Sequence, residues 1–279
     1  MDWAYKAVLT ATTVALLLAV AQLFGRRLAG ILAGLPTVTG PALVWLALDH
    51  GTDFAVEAAL GSVAASALCG LFAVGYERAS RRFGPVVAVL AACMASLAPL
   101  PLLVGWSSAP GSPLPLLCAV MTVCVLCVAW IPATSARRDI VAQPSRRQAL
   151  ELWITAGVSG LVSGTTALAA PQVGPFWAGV LASPPLIAAA VAINLHVTAP
   201  SRSDGAVARF LRGYAAGLIG RSGFAALFGA LLAPTGVITA VLLATAIGCL
   251  ATLATAQVLR SIERRVPAEV VLVEQRAEH

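Results

Sequence analysis

Ala29-Gly30-Ile31-Leu32-Ala33-Gly34-Leu35-Pro36-Thr37-Val38-Thr39-Gly40-Pro41 is apolar enough for hydrocarbon, yet it cannot cross it as one unbroken helix. Pro36 and Pro41 each lack a backbone donor and clash with the carbonyl four residues earlier, while Gly34 and Gly40 loosen the chain around them. A span from 28 to 48 should therefore bend or unwind near mid-depth. In a bilayer each unpaired amide or carbonyl costs several kcal/mol, so such a break is tolerated only against protein or a wet cavity. The pattern returns as Ala178-Gly179-Val180-Leu181-Ala182-Ser183-Pro184-Pro185, 149 positions further on. Two spans broken at corresponding places suggest a membrane protein built from two related halves.

Composition supports the membrane setting. Of 279 residues, 59% are hydrophobic and 11% charged, with a mean hydropathy of +0.89. A soluble domain carries about 25% charge because it must wet its surface. The net charge of +6 is held by Arg clusters between apolar runs, which points to topology rather than to nucleic acid. Cutting the chain at charges and Pro-Gly clusters gives nine spans of the roughly 20 residues that hydrocarbon requires. They run from 7 to 24, 28 to 48, 54 to 76, 84 to 105, 114 to 132, 149 to 169, 175 to 195, 207 to 232 and 235 to 259. All are apolar on every side, unlike barrel strands, so an all-α bundle is expected.

Arg fixes the orientation. Arg26 and Arg27, then Arg78, Arg81 and Arg82, then Arg137, Arg138, Arg146 and Arg147, then Arg202, Arg209 and Arg212, and finally Arg260, Arg264, Arg265 and Arg276 occupy every second connection and the tail. The intervening connections hold Asp49 and Asp53 or no charge. The positive-inside rule then puts the N-terminus outside and the C-terminus inside. Lys6 and Ala19-Val20-Ala21 sketch a signal peptide, but the run is long and the repeat requires this helix, so retention is expected.

Beyond the 149-residue match, Gly61 pairs with Gly213 and Gly84 with Gly236, at an offset of 152. Helices one to four then correspond to helices six to nine, and helix five links them. A displacement by five helices reverses orientation, so the halves are inverted repeats. The expected divisions are residues 1–112 (first repeat), 113–148 (linking helix and loop), 149–259 (second repeat) and 260–279 (tail).

Paired breaks in inverted halves point to a transporter's binding site. The candidate pathway comprises Pro36, Thr37, Thr39 and Pro41 in one half and Ser183, Pro184 and Pro185 in the other, with Thr37 and Thr39 as side-chain donors. Ordinary proline kinks satisfied by neighbouring helices would give the same sequence. Arg221 in Gly217-Leu218-Ile219-Gly220-Arg221-Ser222-Gly223 is the clearest charge at depth, where an unpaired one costs at least ~2.5 to 3.5 kcal/mol. It could hold a substrate carboxylate or phosphate, pair with an acid such as Glu57 or Glu151, or bridge helix-end carbonyls. Asp49-His50-Gly51-Thr52-Asp53 could relay protons or be a solvated loop, and Asn194 and His196 read as a helix-end cap. The six Cys residues read as small apolar fillers, and no metal or cofactor is expected.

The run Phe176-Trp177-Ala178-Gly179, followed by Pro184-Pro185 and His196, resembles the small GlpM-type bacterial inner-membrane proteins of about four helices. That resemblance implies a fused, inverted pair of such units and supports the repeat rather than an activity. The function expected is a secondary transporter, not an enzyme, for a small anionic or zwitterionic solute, with export as one direction open to it. A lipid-linked-intermediate flippase, a membrane enzyme using the Asp49 to Asp53 cluster and an envelope assembly partner are the alternatives. No Walker motif occurs in any loop, so an ion or solute gradient would supply the energy. The preference for Arg over Lys, with abundant Ala and Gly, fits a high-GC gene and a bacterial plasma membrane. Small-molecule or lipid-linked substrate and membrane lipid are the expected partners, and nucleic acid is not.

Overall fold

The computed structural model describes residues 26–108, 112–132, 168–198 and 205–265, with scattered helical positions between 4 and 16 and between 154 and 165. Expected spans one and six lie largely outside the described residues, as do the loop carrying Arg137 to Arg147 and most of the tail. Six described segments are helical, long and apolar enough to cross a membrane, and the described residues contain no strand. The protein is a multi-pass helical membrane protein.

The first described span is divided into α1 (Arg26–Gly34) and α2 (Thr39–His50). Gly51, at φ 88° and ψ 178°, turns the chain directly into α3 (Thr52–Ser80). After a turn at Gly84 come α4 (Pro85–Leu97) and α5 (Leu100–Ser108), then α6 (Pro113–Trp130). Pro85 and Pro113 sit in first helical turns, where a missing N–H leaves no gap in the ladder. A second broken span gives α7 (Pro175–Leu181) and α8 (Leu186–Thr198).

The last element, α9 (Ala206–Arg265), is interrupted at Gly236, with φ 77° and ψ 169°. Gly220 meets Thr252, and Gly248 meets Phe224. Each pair is centred on Gly236, so the two arms of α9 lie side by side as a hairpin. The expected spans stop at 232 and restart at 235; instead the first arm stays helical through Pro234 and one glycine, Gly236, reverses the chain. Such a reversal needs positive φ, which glycine adopts without the penalty a Cβ brings.

Close approach of backbones holds the bundle together. A Cβ added at Gly30 or Gly34 of α1 would meet the backbone of Phe210, Tyr214 or Gly217 on α9. Gly61 of α3 stands likewise against Phe176 of α7, and Gly179 of α7 against Ala58. Lipid tails are as apolar as Leu, so membrane helices gain little by hiding apolar area from them; close packing of small residues is what remains. α3 takes the centre, lying against α4, α6, α7 and α9, and Ala58, Ala64, Ala73 and Tyr76 on it are fully buried. Large apolar side chains point outward instead, including Val86, Leu90 and Met94 on α4 and Ile238, Leu242 and Leu250 on the second arm of α9. This surface suits hydrocarbon and would be a liability in water.

Candidate functional site

Both helix breaks end at the same place. The first releases the chain from Gly34 and restarts it at Thr39, where Gly40 N–H donates to Pro36 O at 2.8 Å. The second leaves Ser183, Pro184 and Pro185 outside any helix before α8 resumes. Across the gap the hydroxyls of Thr39 and Ser183 hydrogen-bond at 3.1 Å. Thr37, Thr39 and Ser183 are all buried.

Ser183 also presents its carbonyl to two donors. Arg221 Nη2 donates to it at 3.0 Å, and the Cys69 thiol donates at 3.3 Å. Arg221 Nη1 reaches Cys69 Sγ at 3.7 Å, a weak acceptor. The arginine is 5% exposed, its Nε has no hydrogen-bond partner, and among the described residues no carboxylate pairs with it. A carbonyl dipole and a thiol do not neutralise a full positive charge at bilayer depth. The site is therefore cationic and incompletely satisfied.

Two cavities adjoin it. A cleft of about 20 Å³ is lined by Thr37, Thr39, Ser183, Pro184, Pro185, Tyr214 and Arg221, among others, and has room for about one water. A larger chamber of about 460 Å³ lies between α3, α4 and the start of α5, and α7, with Ala65, Leu68, Cys69, Leu97, Leu100 and Leu181 among its walls. Ser183, Pro184 and Pro185 line both, so this extended segment is the partition between them.

Of the residues expected from sequence, Thr37, Thr39, Ser183, Pro184, Pro185 and Arg221 converge on the cleft. Pro36 and Pro41 shape the first break without lining it. Glu57 does not belong: it is exposed near the start of α3 and lines neither cavity. The partner of Arg221 is instead the carbonyl that the second break frees, because the proline pair takes Ser183 out of the helix. Asp49, Gly51, Thr52 and Asp53 are exposed where α2 turns into α3, with His50 against Phe54 at 4.6 Å between ring centroids. His196 is not simply a helix-end cap, since its Nδ1 lies 3.3 Å from the Tyr76 hydroxyl on α3.

Sequence reasoning missed Cys69, Tyr214 and Ser62, whose hydroxyl donates to Gly179 O at 3.1 Å. One signal was present for Cys69, because it lies 152 positions before Arg221, the offset that pairs Gly84 with Gly236. No family model, curated protein or solved structure matches this chain.

Proposed function

We propose that the protein is a secondary transporter for a small anionic or zwitterionic solute, which is held at Arg221 between two inverted repeats of four helices in a nine-helix bundle. One observation carries the reading: a buried guanidinium, with no carboxylate partner among the described residues, stands where two broken helices meet. A substrate anion would complete the hydrogen bonding of that fork and offset its buried charge. The elements that hold it are broken helices, whose loose segments can rearrange more readily than a continuous helix can.

Contacts between the halves support the duplication. Gly30 against Phe210 becomes Gly179 against Ala58 when the offsets of 149 and 152 are applied. Cys69 and Arg221, which touch, are separated by 152 residues, and Gly160 and Ala11, which also touch, by 149. A two-fold axis brings equivalent positions into contact in this way.

The equivalence is incomplete where transport would need it to be. Gly220 touches Thr252, but their counterparts Leu68 and Leu100 are both walls of the 460 Å³ chamber. Near the turn at Gly84, α3 and α4 remain packed, Gly75 against Ala92 and Ala95. The first helix pair therefore diverges away from its turn, and the second stays together. Exchange of these two packings between the halves would expose the site alternately to the two sides of the membrane.

The test is thermal unfolding of the purified protein with carboxylates, phosphates, amino acids, sugars and metal ions, run beside Arg221→Ala. A true ligand at a hundred times its Kd stabilises by ~2.7 kcal/mol. Stabilisation by an anion that disappears in the variant is expected. Stabilisation by cations or sugars alone, or an anion effect undiminished in Arg221→Ala, would refute the assignment.

A further inference from the structure

We infer that the substrate is an amphiphilic anion: its charged head engages Arg221 and its single hydrocarbon chain lies in the chamber between α3, α4 and α7. This rests on the transport reading above and specifies its substrate class. The cleft at Arg221, with about 20 Å³, cannot contain an organic anion by itself. The chamber, at about 460 Å³, falls within the ~300 to 1,000 Å³ typical of small-ligand pockets.

The two are adjacent at atomic range. Cys69 lines the chamber, and its sulfur is 3.7 Å from Arg221 Nη1. A head group arriving from the chamber would reach the guanidinium by displacing the Cys69 thiol from Arg221 and from Ser183 O, at the edge of the partition that Ser183 to Pro185 form. The chamber's walls carry the hydroxyl residues Ser96, Thr165 and Ser183 and are otherwise mostly apolar, with Ala65, Leu68, Leu97, Leu100, Val180 and Leu181 and no charged side chain. A wholly hydrophilic solute would find few partners along the leucine, valine and alanine walls, whereas a hydrocarbon chain would pack against them. Leu97 and Leu181 are 49% and 46% exposed, so the chamber has an apolar rim through which a chain could enter. One charge and one such chamber suit a single-chain organic anion with a carboxylate, phosphate or sulfonate head.

The experiment measures binding of n-alkyl sulfonates, from methanesulfonate to decanesulfonate, to the full-length protein in phosphatidylcholine nanodiscs. Alkyltrimethylammonium ions of equal length and empty discs report partitioning into lipid. Affinity above that background should rise roughly fourfold per methylene until the chamber is full. Arg221→Gln should abolish binding at every length. Leu97→Trp and Leu181→Trp, at the half-exposed rim, should flatten the length dependence and leave methanesulfonate binding intact.

Equal affinity for short and long anions, lost in Arg221→Gln, would overturn the amphiphile inference and leave the anion transporter standing. Equal binding of alkylammonium ions, or response only to added two-chain anionic phospholipid, would overturn the inference as well. Failure of any anion to bind through Arg221 would overturn both readings.

Discussion

A buried arginine survives at bilayer depth only if something repays its lost hydration. Arg221 has Ser183 O at 3.0 Å and Cys69 Sγ at 3.7 Å, and its Nε has nothing. Substitution should therefore cost substrate affinity far more than it costs folding. For Arg221→Gln the expected loss of anion affinity is about 30-fold or greater, the range found when one partner of a buried charged contact is removed. Arg221→Lys keeps the charge but not the planar fork, so it should restore only part of the binding. Titration of anion binding, with size-exclusion profiles to verify folding, checks both; wild-type affinity in Arg221→Gln would remove the residue from the site. Thr39→Val tests a smaller contribution, because it deletes the bond to Ser183. It should lower stability by about 1 kcal/mol, readable by thermal unfolding, and leave the anion at Arg221.

The helices depend on backbone contacts that admit no side chain. Gly179→Val would drive a branched side chain into Ala58 O, and Gly61→Val would do the same at Phe176. Overpacking of this kind costs ~1 to 3 kcal/mol, so both variants should unfold several degrees below wild type. Gly105→Ala, where no atom lies within 4 Å, should be indistinguishable from wild type in the same assay. The breaks predict the opposite separation of stability from function. Replacing Pro184 and Pro185 together with Ala removes the obstacle to a continuous helix. The doubly substituted protein should match or exceed wild-type thermal stability while losing anion exchange, since the Ser183 carbonyl would return to the helix ladder. Retained exchange would show that the break has no part in transport.

Both breaks were legible in the sequence because proline and glycine act locally, through a missing donor or a missing Cβ. Arg221 was legible because charge is conspicuous in an apolar run. The partner of Arg221 was not, since Glu57 and Ser183 both precede it in the chain and only packing decides which is near. Cys69 looked like apolar filler for a related reason: a thiol gains meaning from what faces it, and α3 reaches α7 and α9 only in the assembled bundle. The reversal at Gly236 was placed at residues 233 and 234 because proline there suggests chain termination, although Pro234 is accommodated within the helix.

At the scale of the whole molecule, Arg placement and the repeat make a joint prediction about topology. Reporters inserted in the 133–148 connection should read cytoplasmic, and reporters at Gly51 or Gly236 should read external. Both on one side would dismantle the inverted arrangement, because helices one to four could no longer be the flipped counterpart of six to nine. On the proposed duplication, the divergence of α3 from α4, set against the closed arms of α9, corresponds to two halves in different states of one packing. Counterflow tests the central claim most directly. Proteoliposomes are loaded with the most stabilising anion among carboxylates, phosphates and sulfonates, diluted into its labelled form, and compared with Arg221→Gln and empty vesicles. The account predicts a transient, saturable accumulation of label in the wild type that is lost in the variant. Label uptake no faster than in empty vesicles, from protein shown to be folded, or equal uptake in Arg221→Gln, would contradict it.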